Sequence, residues 1–452
     1  MPCKAFVCLS LLILTVSLNC RKNSYKYTGD VSLERSPFLK GKKVLLDAGH
    51  GGSCREDSFR TGPESLCEEE VNLRVALYLS DMLTRAGVKV MCTRVKDVNV
   101  PLADRVKLAQ LFKPDLLISI HHNGSARRVE RVNYPMVLIW GSREVNPASY
   151  DLASLLLGEF HRIMDERGHV TSDLAVFTET GTQLLRETRN LCPGLIGEGG
   201  FFSDERHTLH LKDLQYNQRE AEAYFLAIAE YFRRGVPAGK VLISSPIKRE
   251  SFQKNHLAEE SPLLALRIHT GMEPESYNFL TIEASLDEIP FPCRKLSPGL
   301  YQVDYGPTLP PGVHTLRFRV VNARHQSSPY YYSVFTRDIR TGDYAGMILR
   351  GQKLIKKKKT VRQGLLLLQS ALSLGRTDPR APMIHWFLSR GYRTLNDKAA
   401  SDYYLSRIYH FYPESSYAKK VPSRLRGYRF PVNHLGKEIA PIYDPSLKNY
   451  RP

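Results

Sequence analysis

The sequence predicts an α/β domain, then a β-rich domain, then a helical segment, and three observations carry that reading. Between residues 42 and 234 short apolar runs alternate with stretches of helical periodicity, the pattern of a largely parallel sheet covered by helices. At Val236-Pro237-Ala238-Gly239 this alternation stops, and short runs separated by Pro/Gly turns replace it. After the run Lys356–Lys359 the periodicity becomes wholly helical. The 452 residues suit two to four domains, and a hydrophobic content of 42 % is enough for real cores.

In order, Val44–Leu46 is a strand, and Val71–Leu83 has helical spacing that stops at Gly87. Val88–Thr93 is a strand, Leu102–Phe112 a helix ended by Pro114, and Leu116–Ile120 a strand. Val137–Trp140 reads as a strand, Tyr150–Arg167 as a helix closed by Gly168, Leu195–Gly197 as a short strand and Glu220–Arg233 as a helix. Beyond the boundary, Leu263–Ile268, Phe279–Ala284, Tyr301–Tyr305, Leu316–Val321 and Tyr330–Phe335 are strand candidates. Their turn spacing suggests a β-sandwich, immunoglobulin-like in the loose sense. Gly364–Leu374, Ala381–Thr394 and Ala399–Phe411 are helices. The stretch from Tyr412 to Ala418 resembles the inter-helix signature of tetratricopeptide-type repeats. With only one and a half such units, a helical appendage docked on its neighbours is the alternative.

The ends have their own character. Lys4, an apolar run from Ala5 to Leu18 and then polar residues from Arg21 describe an export signal, too short to span a bilayer. Cys20 at its end resembles a bacterial lipobox, which implies a lipid anchor; an ordinary cleaved signal is the alternative. Five cysteines follow, Cys54, Cys67, Cys92, Cys192 and Cys293. An odd number cannot pair fully within one chain. A disulfide between Cys54 and Cys67 suits an oxidising compartment, with two free thiols as the alternative. The net charge is +18, and most of it lies after Met347, where 21 Lys and Arg face 6 Asp and Glu. Such a region favours anionic or protein partners, and export argues against nucleic acid.

Two strands run straight into histidines, His50 and His121. Glu68 lies near the start of the helix after the first of these, and Glu198 follows another strand. Open α/β sheets gather ligands beyond the carboxyl ends of their strands, so the four groups can converge on one edge. Two imidazoles and a carboxylate with a position left for water are what a hydrolytic zinc ion takes. His122 competes with His121, and Glu69 or Glu70 with Glu68, since acidic residues also favour helix N-termini. His207 and His210 have no motif around them and are expected at the surface.

The motifs DAGHGG, EEEVNL, TR with LADR, SIHHN and EGGFFSD occur in that order. Together they resemble the zinc-dependent N-acetylmuramoyl-L-alanine amidases, of the cell-separation type, over Lys42–Arg234. The resemblance implies a six-stranded α/β fold, one Zn2+ ion and cleavage of peptidoglycan in the cell wall. It places the metal ligands at His50, Glu68 and His121 and the catalytic carboxyl at Glu198. Arg94 and Arg105 also match, in scaffold roles. Ala48, His122 and Asp204 depart from the common pattern without removing a ligand. Relatives can carry a blocking helix in the interval that includes Tyr150–Arg167. The expected division is a signal over 1–20, a tether over 21–40, a catalytic domain over 41–235, a sandwich over 240–340, a helical tetratricopeptide-like region over 345–425 and a basic tail over 426–452. The whole then reads as a periplasmic or cell-envelope lipoprotein. Competing readings are a catalytically silent wall-binding scaffold and a zinc peptidoglycan peptidase.

Overall fold

Strand β1 (Lys43–Ala48) shows why the first domain folds as it does. Val44, Leu45, Leu46 and Ala48 are all buried, so the strand is covered on both faces. Successive side chains alternate: Val44 and Leu46 enter one core and Leu45 a second core on the opposite face. This computed structural model describes residues 25–29, 37–52, 54, 60–125, 132–177, 180–243, 247–248, 255–257, 263–272, 280–337, 344–374 and 378–428. The expected signal with Cys20, and the basic tail beyond Tyr428, lie outside the described residues. Among those described, no helix is long and apolar enough to cross a membrane. The described residues 25–29 of the expected tether are held down: the Tyr27 amide donates to Asp81 at 3.2 Å and its hydroxyl to Glu222 at 3.3 Å.

The chain divides into two compact units. The first contains residues up to Val236, with Arg324–Pro329 added. After β1 come α1 (Glu68–Arg85), β2 (Lys89–Cys92), α2 (Leu102–Phe112), β3 (Leu116–Asn123), β4 (Met136–Ile139) and α3 (Pro147–Glu159). Then follow β5 (His169–Ser172), α4 (Asp173–Val176), α5 (Gln183–Thr188), β6 (Gly194–Phe201), α6 (Glu205–Lys212) and α7 (Leu214–Arg233). The sheet order is β2-β1-β3-β6-β4-β5. Neighbours are parallel except β4, which runs antiparallel to β6, so the sheet is mixed. Helices α1, α3 and α7 pack on one face, where Val75, Leu79, Leu156, Tyr224 and Ile228 are buried. Removing such a side chain, as in Leu79→Ala, costs about 2–5 kcal/mol. The other face is covered by α2 and α5 through Val106, Ala109, Leu184 and Leu185.

The expected helix over Tyr150–Arg167 is shorter than its pattern. Regular α-helix ends at Glu159, a π-helical turn covers Phe160–Met164, and Asp165 turns left-handed at φ 57°. Because Leu152, Ala153 and Leu156 are buried in the same core as α7, this helix is scaffold and not a plug in the cleft.

Among its described residues, the second unit joins two sheets and four α-helices. Strands β7 (Ala238–Ile243), β10 (Leu264–His269), β13 (Cys293–Ser297) and β14 (Leu300–Val303) form one sheet, in the order β13-β14-β10-β7. The other contains β8 (Ile247–Lys248), β9 (Asn255–Leu257), β11 (Thr281–Leu286), β12 (Ile289–Phe291), β15 (Gly312–Val321) and β16 (Tyr331–Arg337). Helices α8 (Tyr344–Leu354), α9 (Val361–Leu374), α10 (Ala381–Thr394) and α11 (Lys398–Phe411) follow. Leu266 and Val303 of one sheet, Leu286 and Phe318 of the other, and Leu365 and Leu368 of α9 belong to one core. The helices therefore bury their apolar faces against the sheets as well as against each other.

Candidate active site

The turn after β1 needs its glycines. His50 and Gly51 both have positive φ, 57° and 133°, and a Cβ on Gly51 would lie 2.2 Å from the Val98 carbonyl oxygen. At Gly49 a Cβ would lie 2.2 Å from the His121 ring, so this glycine makes room for that side chain. Two buried arginines clamp the turn. Arg94 donates to the carbonyls of Ala48, Gly49 and Glu69 at 2.9, 2.8 and 2.7 Å. Arg105 donates to the carbonyls of Ala48 and His50 at 2.8 and 2.7 Å and to Asp47 Oδ1 at 2.6 Å. Burial works to raise the Asp47 carboxyl, but Arg105 and the hydroxyls of Ser119 and Thr93 hold it below its ordinary value.

Glu68 opens α1, one residue after Cys67, which is joined to Cys54 by a disulfide. Its Oε2 lies 3.2 Å from His50 Nε2 and its Oε1 3.2 Å from His121 Nδ1. Burial would raise the Glu68 carboxyl; the two imidazoles hold it well below the usual carboxylate range instead. The rings of His50 and His121 meet edge to face at 4.8 Å. Among the described residues, these three form the one group with metal-ligating atoms gathered within 4.8 Å of one another. Glu69 and Glu70 are not part of it: Glu69 is fully buried while Glu70 is exposed.

Alternation along β3 separates the neighbouring histidines. His121 turns to Glu68, whereas His122 is buried with Nδ1 2.8 Å from Asn72 Oδ1 and Nε2 3.1 Å from Glu220 Oε2. Burial draws His122 down, but the Glu220 carboxylate holds it above its ordinary value. With both nitrogens engaged, His122 has no free atom for a metal.

Glu198 sits on β6 directly beside His121 in the strand register. Its Oε2 is sealed from solvent and has no hydrogen-bond partner. Burial and the negative charge of Glu68 push its carboxyl up to about 8. All four residues line one cleft of about 1040 Å³, together with Arg60, Asn99, Phe177, Arg186 and Phe202.

His207 corrects the sequence reading: it is buried, not on the surface, whereas His210 is exposed. Asp204, unusual for the pattern, caps α6 by accepting from the amides of Arg206 and His207 at 3.0 and 2.9 Å. Asn72 and Glu220 went unnoticed in the sequence. Asn72 is signalled by its i,i+4 spacing from Glu68; Glu220 has no local signal.

Two imidazole nitrogens and an ionised carboxylate are the donor set of a hydrolytic metal site, and a neighbouring buried carboxyl without a partner fits a proton-transfer group. The fold and site thus define an α/β domain on a mixed six-stranded sheet, with a candidate metal centre of the hydrolytic type. Residues 44–230 match the family model Amidase_3, N-acetylmuramoyl-L-alanine amidase, and this segment is a catalytic domain of that amidase family.

The chain is 27 % identical over 194 residues to the uncharacterized protein YqiI of Bacillus subtilis, covering 43 % of this chain and 86 % of the relative. It is 29 % identical over 205 residues to the probable cell wall amidase LytH of Staphylococcus epidermidis, covering 45 % and 62 %. It thus spans less than two thirds of the length of the latter. Among solved structures, the N-acetylmuramoyl-L-alanine amidase AmiC2 of Nostoc punctiforme aligns at 26 % identity and a TM-score of 0.37, over 43 % of this chain and 99 % of the other.

Proposed function

We propose that this protein hydrolyses the amide between the lactyl group of N-acetylmuramic acid and the L-alanine of the peptidoglycan stem, with a zinc ion held by His50, Glu68 and His121. The observation that carries the proposal is the convergence of those three side chains beside Glu198, whose Oε2 is buried and unpartnered. A zinc ion bound there would supply a Lewis acid that activates water and polarises the scissile carbonyl. Glu198 accepts the proton of the attacking water and delivers it to the leaving amine. Arg94 and Arg105 keep His50 in place by holding the turn that carries it. The cleft walls from Phe177 and Arg186 to Phe202 receive the glycan and peptide.

The reading extends to the whole chain. An exported protein attached through a lipidated Cys20 brings the cleft to the wall in cell-wall remodelling or cell separation, and the basic helical region offers a cationic surface to an anionic or protein partner. In this reading the second unit is an immunoglobulin-like sandwich followed by a tetratricopeptide-like helical region. The test is metal analysis of the full chain with mass spectrometry of a peptidoglycan digest. The expected result is one zinc per chain and intact stem peptides with a free L-alanine amine. Cleavage within the stem peptide would mark a peptidase, and no cleavage by the zinc-loaded chain would leave the scaffold reading.

A further inference from the structure

Behind Glu68 lies a chain of buried polar groups that has no part in the proton transfer. Asn72 Nδ2 donates to Glu68 Oε1 at 3.1 Å and to the Gly49 carbonyl at 3.3 Å. Both partners are acceptors, so the nitrogen of the amide must face them and Oδ1 must face the other way. There it meets His122 Nδ1 at 2.8 Å, which must therefore carry a hydrogen. His122 Nε2 in turn faces Glu220 Oε2 at 3.1 Å, on α7. The backbone amide of His122 adds a further bond to Glu68 Oε1 at 3.1 Å. Gly199 leaves the space this arrangement needs, since a Cβ there would lie 2.5 Å from Glu220 Oε1.

We propose that Glu220, His122 and Asn72 act as a positioning relay that fixes the Glu68 carboxylate for the metal ion, a role that rests on the metal reading above. The physical reason is orientation. An Asn amide can turn over and present its oxygen to Glu68, where it would repel the carboxylate. The hydrogen on His122 Nδ1 blocks that turn, because only Oδ1 can accept it. Glu220 keeps the ring from turning by engaging Nε2. His122 and Glu220 are both fully buried. Such a pair gives little stability that apolar residues of the same size would not, so its presence calls for another use. Partners of this kind, set behind the ligands, tune metal affinity about 10–100-fold.

The test compares zinc affinity by chelator competition, kcat and the melting temperature of the metal-free protein. Glu220→Leu is expected to weaken zinc binding about 10–100-fold and to lower kcat. Glu220→Gln, which keeps a partner for Nε2, restores most of both. Asn72→Ala lowers affinity similarly, and Asn72→Ala/Glu220→Leu is no worse than Asn72→Ala alone, since the relay is already cut. A purely structural pair would change the melting temperature and leave the affinity of the folded protein intact. Should Glu220→Leu fail to fold, His122→Leu/Glu220→Leu removes both members without stranding a charge, and the same loss of affinity is expected. Folded variants with wild-type zinc affinity overturn the relay alone. A wild-type chain that takes up no zinc overturns the metal reading and the relay together.

Discussion

Glu198 and Glu68 are carboxyl groups in one cleft with opposite tendencies. Glu68 faces two imidazoles and stays ionised; Glu198, sealed and facing that negative charge, is pushed up to about 8. The division matches the two proposed roles, a metal ligand that must be charged and a proton-transfer group, whose carboxyl a cation bound at Glu68 would lower so that it can first act as a base. Glu198→Gln removes only the second. The expected outcome is unchanged zinc content and melting temperature, with hydrolysis reduced about 10²–10⁴-fold. Wild-type turnover in that variant would take the proton transfer away from Glu198. Much of this site was legible, because strands ending in DAGHGG and SIHHN carry their histidines with them. The resemblance points to His121, although the motif carries His122 beside it. That His121 and not His122 turns to Glu68 follows from the face of β3 each occupies and from partners on α1 and α7, far away in sequence.

The strands β1 and β3 are legible as continuous apolar runs buried on both faces, and α1, α2 and α7 because a buried face repeats every 3.6 residues. Short ones are not. β5 spans four residues with no fully buried side chain, and α5 has six residues, too few for a period. Strand direction leaves no mark on apolar spacing, so β4 is legible as a strand but its antiparallel direction is not. The start of α1 is more strongly determined than its propensities suggest, because the disulfide from Cys54 ends one residue before Glu68. Closing a loop of this sequence separation, 13 residues, stabilises the fold by about 3 kcal/mol on the chain-entropy account. Cys54→Ser/Cys67→Ser should lose stability of that order in urea unfolding. It should also bind zinc more weakly, since the first turn of α1 carries the proposed ligand Glu68. Unchanged zinc affinity would confine the bridge to a stabilising role.

Across the whole molecule, the sequence separates β-rich and helical parts that share one core in the second unit, because burial between distant segments is invisible to local pattern. The same burial traps a histidine in each unit. His207, packed near His210, Tyr216, Asn133 and His122, has Nε2 without a partner, and burial pushes it down to about 3. His385, against Tyr404 and Tyr412, has Nδ1 without a partner and is also pushed down to about 3, by burial and then by Arg407. A histidine depressed on folding binds its proton more readily when unfolded. Its contribution is therefore complete above the unfolded value near 6.5 and is lost as pH falls from there towards 3. Between pH 7 and pH 5 each should cost about 2 kcal/mol of stability. His385→Phe keeps the ring volume and removes the titration, so its denaturation profile should be flatter than wild type by that amount over this interval. His207→Leu should act likewise in the first unit. The two variants lie in separate cores, so their effects should add. Profiles parallel to wild type between pH 7 and pH 5 would mean that neither site stays neutral and buried in the native protein, and the acid response would then have to come from the carboxylates, below pH 5.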